Sequence, residues 1–141
     1  MRTRVTAIGI ALALALGGSL VGARGWPGVR LAPAKTWVGM ARVHLEVSEL
    51  KVVNNTLVGT YEIRVPLAPA KDDRGTVRFE LGRPLEQALA DGAVLLGFGQ
   101  SLLDHRTHRI SCAFGDDESV RIDVESGDRR LSFRSRWTPG A

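Results

Sequence analysis

Apolar and polar residues alternate along two runs near the end of the chain, and no other feature constrains the fold as tightly. Val120, Ile122 and Val124 alternate with Arg121, Asp123 and Glu125. Leu131, Phe133 and Trp137 alternate with Arg130, Ser132, Arg134 and Arg136. A period of two means strands with one apolar and one polar face. Ser126, Gly127, Asp128 and Arg129 between the runs are turn residues. With Gly127-Asp128 as the tip, Val124 faces Leu131, Ile122 faces Phe133, Glu125 faces Arg130 and Arg121 faces Arg134. A slip of one residue would put every side chain on the wrong face, so the register is strongly specified.

The preceding run extends the scheme. Ile110, Cys112 and Phe114 alternate with Arg109, Ser111 and Ala113. A three-residue tip of Gly115, Asp116 and Asp117 would set Cys112 opposite Val120, Ile110 opposite Ile122 and Arg109 opposite Asp123. Three strands with one apolar face need a second layer to cover it.

Earlier segments behave in the same way. Ala41, Val43, Leu45 and Val47 share a face, but Leu50 and Val52 are out of phase with them. The change falls at Ser48-Glu49, which predicts a β-bulge. Asn54-Asn55 is a turn of residues that tolerate positive φ. Leu57, Gly59, Tyr61, Ile63 and Val65 make the next strand, with Val52 opposite Leu57 and Leu50 opposite Gly59. Pro66 ends that ladder, and residues 66–75 read as a long loop. Val77, Phe79 and Leu81 make a further strand. Pro84–Asp91 is the helical candidate, with Glu86 in the first turn, Gly92 at the exit, and Leu85 and Leu89 facing the core. Residues 93–99 are apolar on both faces, as in a central strand. Residues 100–107 read as loop.

These readings give an all-β fold of seven or eight antiparallel strands with one short helix. A small two-sheet β-sandwich is the first expectation. A half-open barrel is the alternative, because Gly59, Gly97 and Gly99 permit strong coiling.

The chain of 141 residues is expected to form one domain after a processing segment. Arg2 and Arg4 precede an uncharged run over residues 5–23, which ends in the small residues Val21-Gly22-Ala23. This is the pattern of a signal peptide over residues 1–23. It is followed by an extended lead-in over residues 24–36 and a single β-rich domain over residues 37–141. Export to the periplasm or exterior is the expected localisation. A membrane association would follow only if the segment stayed uncleaved. Removal of Arg2 and Arg4 lowers the net charge from +4 to +2 with all 15 acids retained, so nucleic acid is not an expected partner. Arginine outnumbers lysine 16 to 3, a bias typical of a GC-rich genome. The single cysteine, Cys112, has no intrachain disulfide partner, and its phase with Ile110 and Phe114 predicts a buried thiol.

Candidate sites are few. Asp104, His105 and His108 carry metal-binding side chains, yet no further ligand lies at a recognisable spacing. Ser101, His105 and Asp104 crowd three catalytic roles into one loop, where base and orienter cannot align. Asp72-Asp73 and Asp116-Asp117-Glu118 are acidic loop tips without the spacing of a calcium loop. The least ordinary cluster is the polar face of the C-terminal strands. There Arg121 opposes Arg134, with Arg109, Arg130 and Arg136 alongside. Guanidinium forks in such an array suit a phosphate, a sulfate or an acidic head group.

No cofactor is implied. The leading expectation is an exported, non-catalytic module that binds an envelope or extracellular partner, such as an anionic glycan or lipid head group. A small-barrel carrier of an apolar ligand is a second reading, and it requires a cavity of several hundred Å³. A glycan-acting enzyme with carboxylates such as Asp72 or Glu80 is a third.

Overall fold

A computed structural model describes residues 25–140. The signal peptide expected over residues 1–23 lies outside the described residues. Ten strand segments follow in order: β1 (Gly28–Leu31), β2 (Ala34–Val38), β3 (Ala41–Val47), β4 (Leu50–Val53), β5 (Thr56–Arg64), β6 (Asp73–Glu80), β7 (Val94–Ser101), β8 (Thr107–Phe114), β9 (Ser119–Ser126) and β10 (Arg129–Pro139). Among the described residues one α-helix, α1 (Leu85–Ala90), joins β6 to β7, and a short 3-10 turn (Pro69–Lys71) lies between β5 and β6.

All pairings are antiparallel, and they close on themselves. Of the two architectures that the sequence admits, the chain takes the barrel. From β5 onward each strand pairs with the next, through to β10. β10 then pairs with β1, β1 with β4 and β4 with β5, so the ring closes at the end where β1 lies. β2 and β3 continue the strands of β1 and β4 and pair with each other, with β3 along β5. The result is an up-and-down barrel of eight strands.

The closing strand comes from the segment expected to be a lead-in. Val29 and Leu31 are buried and alternate with exposed Arg30, but the run is too short, between Pro27 and Pro33, to declare itself by period. Pro33 also marks where β2 parts from β10. The last backbone bonds across that seam are Trp137 opposite Leu31 and Ala32 N–H to the Arg136 carbonyl at 2.9 Å. Proline has no N–H with which to continue. Above that point β2 and β10 share no ladder among the described residues.

The C-terminal hairpin has the expected register, Val124 opposite Leu131, Ile122 opposite Phe133 and Arg121 opposite Arg134. The bulge also lies where the phase jump puts it. Val47 pairs with Tyr61 but Lys51 pairs with Val58, so one extra residue sits in between. Ser48 fills the gap by accepting the Thr60 N–H at 2.9 Å. The Asn54-Asn55 turn has both residues at positive φ, 50° and 61°.

One register differs from expectation. Cys112 pairs with Ile122, Ile110 with Val124 and Arg109 with Glu125, two residues away from the pairing that a three-residue tip would give. The connection is longer because Gly115 N–H bonds the Ser119 carbonyl at 2.8 Å. Asp117 accepts from the Ser119 hydroxyl and N–H, and Glu118 takes φ 66°. A shift of two keeps every side chain on its face, so the alternation could not reveal it.

The two ends of the barrel differ in side-chain size. At one end Phe79, Phe114, Phe133, Trp137, Leu50 and Leu57 fill the interior. Trp137 lies 5.8 Å from Phe114 and 6.0 Å from Trp26, centroid to centroid. α1 joins strands at this end and buries Leu85, Ala88 and Leu89 in the same core. At the other end the inward positions carry smaller side chains, among them Ala41, Val43, Val65 and Ser126. Eight strands enclose just enough width for side chains to fill, so smaller residues at that end leave an open cup.

Candidate functional site

Four consecutive strands each send one polar side chain inward near the open end. They are Tyr61 on β5, Asp73 on β6, Ser101 on β7 and His108 on β8. Asp73 is the hub. Its Oδ1 accepts the Ser101 hydroxyl at 2.6 Å and the Arg74 N–H at 2.8 Å. Its Oδ2 accepts the Tyr61 hydroxyl at 2.9 Å and faces His108 Nε2 at 3.0 Å. A carboxylate drawn out of water is costly unless its lone pairs are occupied; here three donors and the His108 ring nitrogen surround the half-buried Asp73. Burial, and then the Asp73 carboxylate, hold the Tyr61 phenol above its ordinary value.

The cluster depends on close packing around β7. Gly97 and Gly99 point inward between Leu95 and Ser101. A Cβ at Gly99 would lie 2.9 Å from the Ile110 side chain and 3.1 Å from the Tyr61 ring. Gly99, with Gly75 on β6, leaves room for the Tyr61 ring, whose hydroxyl reaches Asp73 on the neighbouring strand.

Above the cluster opens a cavity of about 610 Å³. Its wall is mainly aliphatic, with Val38, Val43, Ile63, Val65, Val124 and Leu131. Asp73 and His108 form a polar patch in that wall, while Lys71, Arg106 and Arg129 stand among its lining residues. The cavity reaches both sides of the unladdered seam, because Val38 belongs to β2 and Leu131 to β10. Deeper in the barrel lies a void of about 20 Å³, apolar and no larger than a water molecule. A shallower depression of about 610 Å³ lies on the barrel wall around Glu46, Ser48, Thr60 and Glu62. It is the more open and more polar of the two.

His108 is brought inside, while its sequence neighbours stay out. Asp104 and His105 are exposed on the β7–β8 loop, His105 at φ 61°. The Arg106 N–H donates to Asp104 Oδ1 at 2.9 Å, and that bond chiefly holds the Asp104 carboxyl below its ordinary value. Among the described residues no group of three His, Cys, Asp or Glu side chains is placed to hold a metal. Ser101 and His108 each bond Asp73 and not one another, so no imidazole touches the serine hydroxyl. A nucleophilic triad needs the imidazole between the other two. Asp72 and Glu80 lie at opposite ends of β6, roughly 25 Å apart at the usual rise per residue, too far for a pair of glycosidic acids.

The arginine cluster lies on the outer wall of β8, β9 and β10. Arg121 pairs with Asp123 at 3.2 Å, Arg130 with Glu125 at 2.7 Å, Arg109 with Glu125 at 3.8 Å and Arg136 with Glu118 at 3.4 Å. Arg134 stands opposite Arg121 and has no ion pair among the described residues. Four of the five guanidinium groups thus already have a carboxylate. Cys112 is buried inside the barrel, which pushes its thiol up to about 12.

Tyr61 was not legible as a site residue, and Asp73 was singled out only as part of an acidic loop tip. Tyr61 reads as one more member of an alternating run, and Asp73 falls in the segment read as loop. β6 begins at Asp73, four residues before Val77, and puts Asp73 in phase with Val77 and Phe79. The available signal was parity: Ser101 is in phase with Leu95, and His108 with Ile110, so both are polar residues on an apolar face.

The chain matches no protein-family model, no curated protein and no solved structure.

Proposed function

We propose that the protein is a non-catalytic carrier that holds a small, largely apolar ligand in the open end of its barrel. The observation that carries this reading is the cup of about 610 Å³, walled by aliphatic side chains and backed by a filled core. Ligand sites of this kind are concave, mostly apolar and marked by a few polar groups that set orientation. Asp73 and His108 supply that polar patch at one side. The lining carries three bases, Lys71, Arg106 and Arg129, against three acids, Asp72, Asp73 and Asp104, so charge alone does not select the ligand's polar end. The run of residues 5–23 behind Arg2 and Arg4 supports an exported carrier, periplasmic or secreted.

The reading is tested by displacement of an apolar fluorophore, N-phenyl-1-naphthylamine, with a series of alkanoates and alkanols. The fluorophore is expected to bind and to be displaced more strongly as the chain lengthens. Ala41→Trp, which fills the cup from the mouth end of β3, is expected to abolish binding with the urea midpoint retained. Failure of the parent protein to bind, or equal binding by Ala41→Trp, overturns the carrier reading.

A further inference from the structure

The connections around the cup carry exposed apolar side chains. Met40 in the β2–β3 turn is 91% exposed and Leu67 in the β5–β6 loop is 82% exposed. Leu102 and Leu103 in the β7–β8 loop are more than half exposed. Trp37, on the outer wall beside this end, lies beneath the Arg42 guanidinium at 4.6 Å. Single exposed leucines are ordinary. Here three separate loops bring such residues to the same end of one barrel.

Charge is distributed along the same axis. Arg42, Arg64, Lys71, Arg74, Arg106 and Arg129 lie in or next to the mouth connections. The acids there are Asp72, Asp73, Asp104 and Asp128, so these six bases exceed them by two, and Asp72 and Asp104 also accept the backbone N–H groups of Val65 and Arg106. At the closed end Glu80, Glu86, Asp91, Asp116, Asp117 and Glu118 stand with Arg78, Arg83 and Arg136, which pair with Glu80, Asp91 and Glu118, so acids exceed bases there. The described chain also enters and leaves at the closed end, where Gly140 N–H bonds the Gly28 carbonyl at 2.8 Å.

We propose that the mouth docks on the surface of an anionic lipid bilayer. Met40, Leu67, Leu102 and Leu103 enter the acyl boundary, Trp37 sits at head-group depth, and the basic side chains lie among the lipid phosphates. Apolar contact and attraction to anionic lipid add in binding of this kind, and tryptophan prefers the interface. Charge decides between a bilayer and a second copy of the chain. Two mouths face to face would bring two basic rings together, whereas an anionic surface complements one. Docking does not require an occupied cup. If the carrier reading also holds, docking gives an apolar ligand a route between bilayer and cup that avoids water.

Among the described residues the strand pairings and α1 all lie between Gly28 and Pro139, so the chain of residues 24–141 keeps the barrel. That chain is floated with vesicles of phosphatidylcholine alone or mixed with phosphatidylglycerol. Flotation is expected with the anionic vesicles and is lost as salt rises from about 0.1 M to about 1 M, where screening shortens from about 10 Å to about 3 Å. Emission should shift to the blue on binding, and Trp37→Phe should remove the shift, since Trp26 and Trp137 lie together at the closed end. The double variant Leu67→Glu with Leu102→Glu, outside the cup lining and on exposed tips, should bind about tenfold more weakly with an unchanged circular dichroism spectrum. Absence of flotation, or unaltered flotation of that variant, overturns the proposal. Dimerisation that the same variant abolishes, without vesicle binding, overturns it in favour of a second copy. Ala41→Trp should float like the parent, so a failed carrier reading is separable from failed docking.

Discussion

Asp73 and His108 meet inside the barrel with Oδ2 and Nε2 3.0 Å apart, although 35 residues separate them in sequence. The histidine side chain is 8% exposed, and its other ring nitrogen, Nδ1, has no hydrogen-bond partner among the described residues. The carboxylate therefore orients the imidazole alone, and through Tyr61 and Ser101 it also ties β5 and β7 to the pair. One side chain cross-links four strands at the level where the core gives way to the cup.

Asp73→Asn should consequently cost more stability than its small change in shape implies. The amide keeps the volume but replaces one acceptor oxygen by a donor, which faces donors already there. A buried donor left unsatisfied costs about 1–3 kcal/mol. A loss of about 2–3 kcal/mol in urea unfolding is expected, against about 1 kcal/mol for Tyr61→Phe, which removes one bond and leaves the acid in place. Equal midpoints for Asp73→Asn and the parent would show that the hub holds nothing together.

Gly97 tests the close packing of the barrel wall. A Cβ there would run into the Arg78 carbonyl oxygen and the Phe79 ring. Gly97→Ala is expected to destabilise by about 1–3 kcal/mol through overpacking. Gly82→Ala is the control, because a Cβ at Gly82 meets nothing within 4 Å, and it should leave the thermal midpoint unchanged or slightly raised.

Cys112 sets an alkaline limit. Burial pushes its thiol from the ordinary 9.0 up to about 12. The unfolded chain releases the proton near the ordinary value while the folded chain retains it. Stability is therefore full below about pH 9 and falls as pH rises from about 9 to about 12, by at most about 1.4 kcal/mol per pH unit. Tyr61, also held above its ordinary 10.0 by burial and by Asp73, adds a loss of the same sign at higher pH. Urea unfolding of Cys112→Ala should start from a lower stability at pH 7 and show a shallower decline between pH 9 and 10. A decline as steep as the parent's would assign the effect to other groups.

The strands were legible because alternation reports a face directly. It gave the C-terminal hairpin in register and located the bulge at Ser48-Glu49, since a changed phase must appear in the ladder as an extra residue. The β8–β9 register was not legible, because Gly115, Asp116 and Asp117 resemble a complete tip while Glu118 takes the left-handed conformation. Closure was hidden for a different reason. β1 contributes only Gly28–Leu31 to the ring, too few residues for a period. Residues 93–99 read as a central strand, yet Val94, Leu96 and Phe98 face solvent on the outer wall. Parity separates two faces but does not say which one the core covers. The polar cluster depends on four strands lying side by side, and no single segment carries that information.

The outer arginines provide the last test. Arg121 and Arg134 stand directly opposite on β9 and β10, a pairing of like charges that costs some fraction of a kcal/mol. Asp123 relieves part of it by accepting from Arg121 and from the Ser132 hydroxyl. Arg134→Glu would put opposite charges across the pair, and a gain of about 0.2–1 kcal/mol is expected at low salt, smaller at about 1 M salt as screening grows. The same variant separates two uses of this face. If the arginines only solvate the wall, retention on immobilised heparin will barely change, because four of the five remain paired with carboxylates. If they form an anion site, Arg134 is the guanidinium without an ion pair and therefore the one a ligand would take, and its reversal should abolish retention.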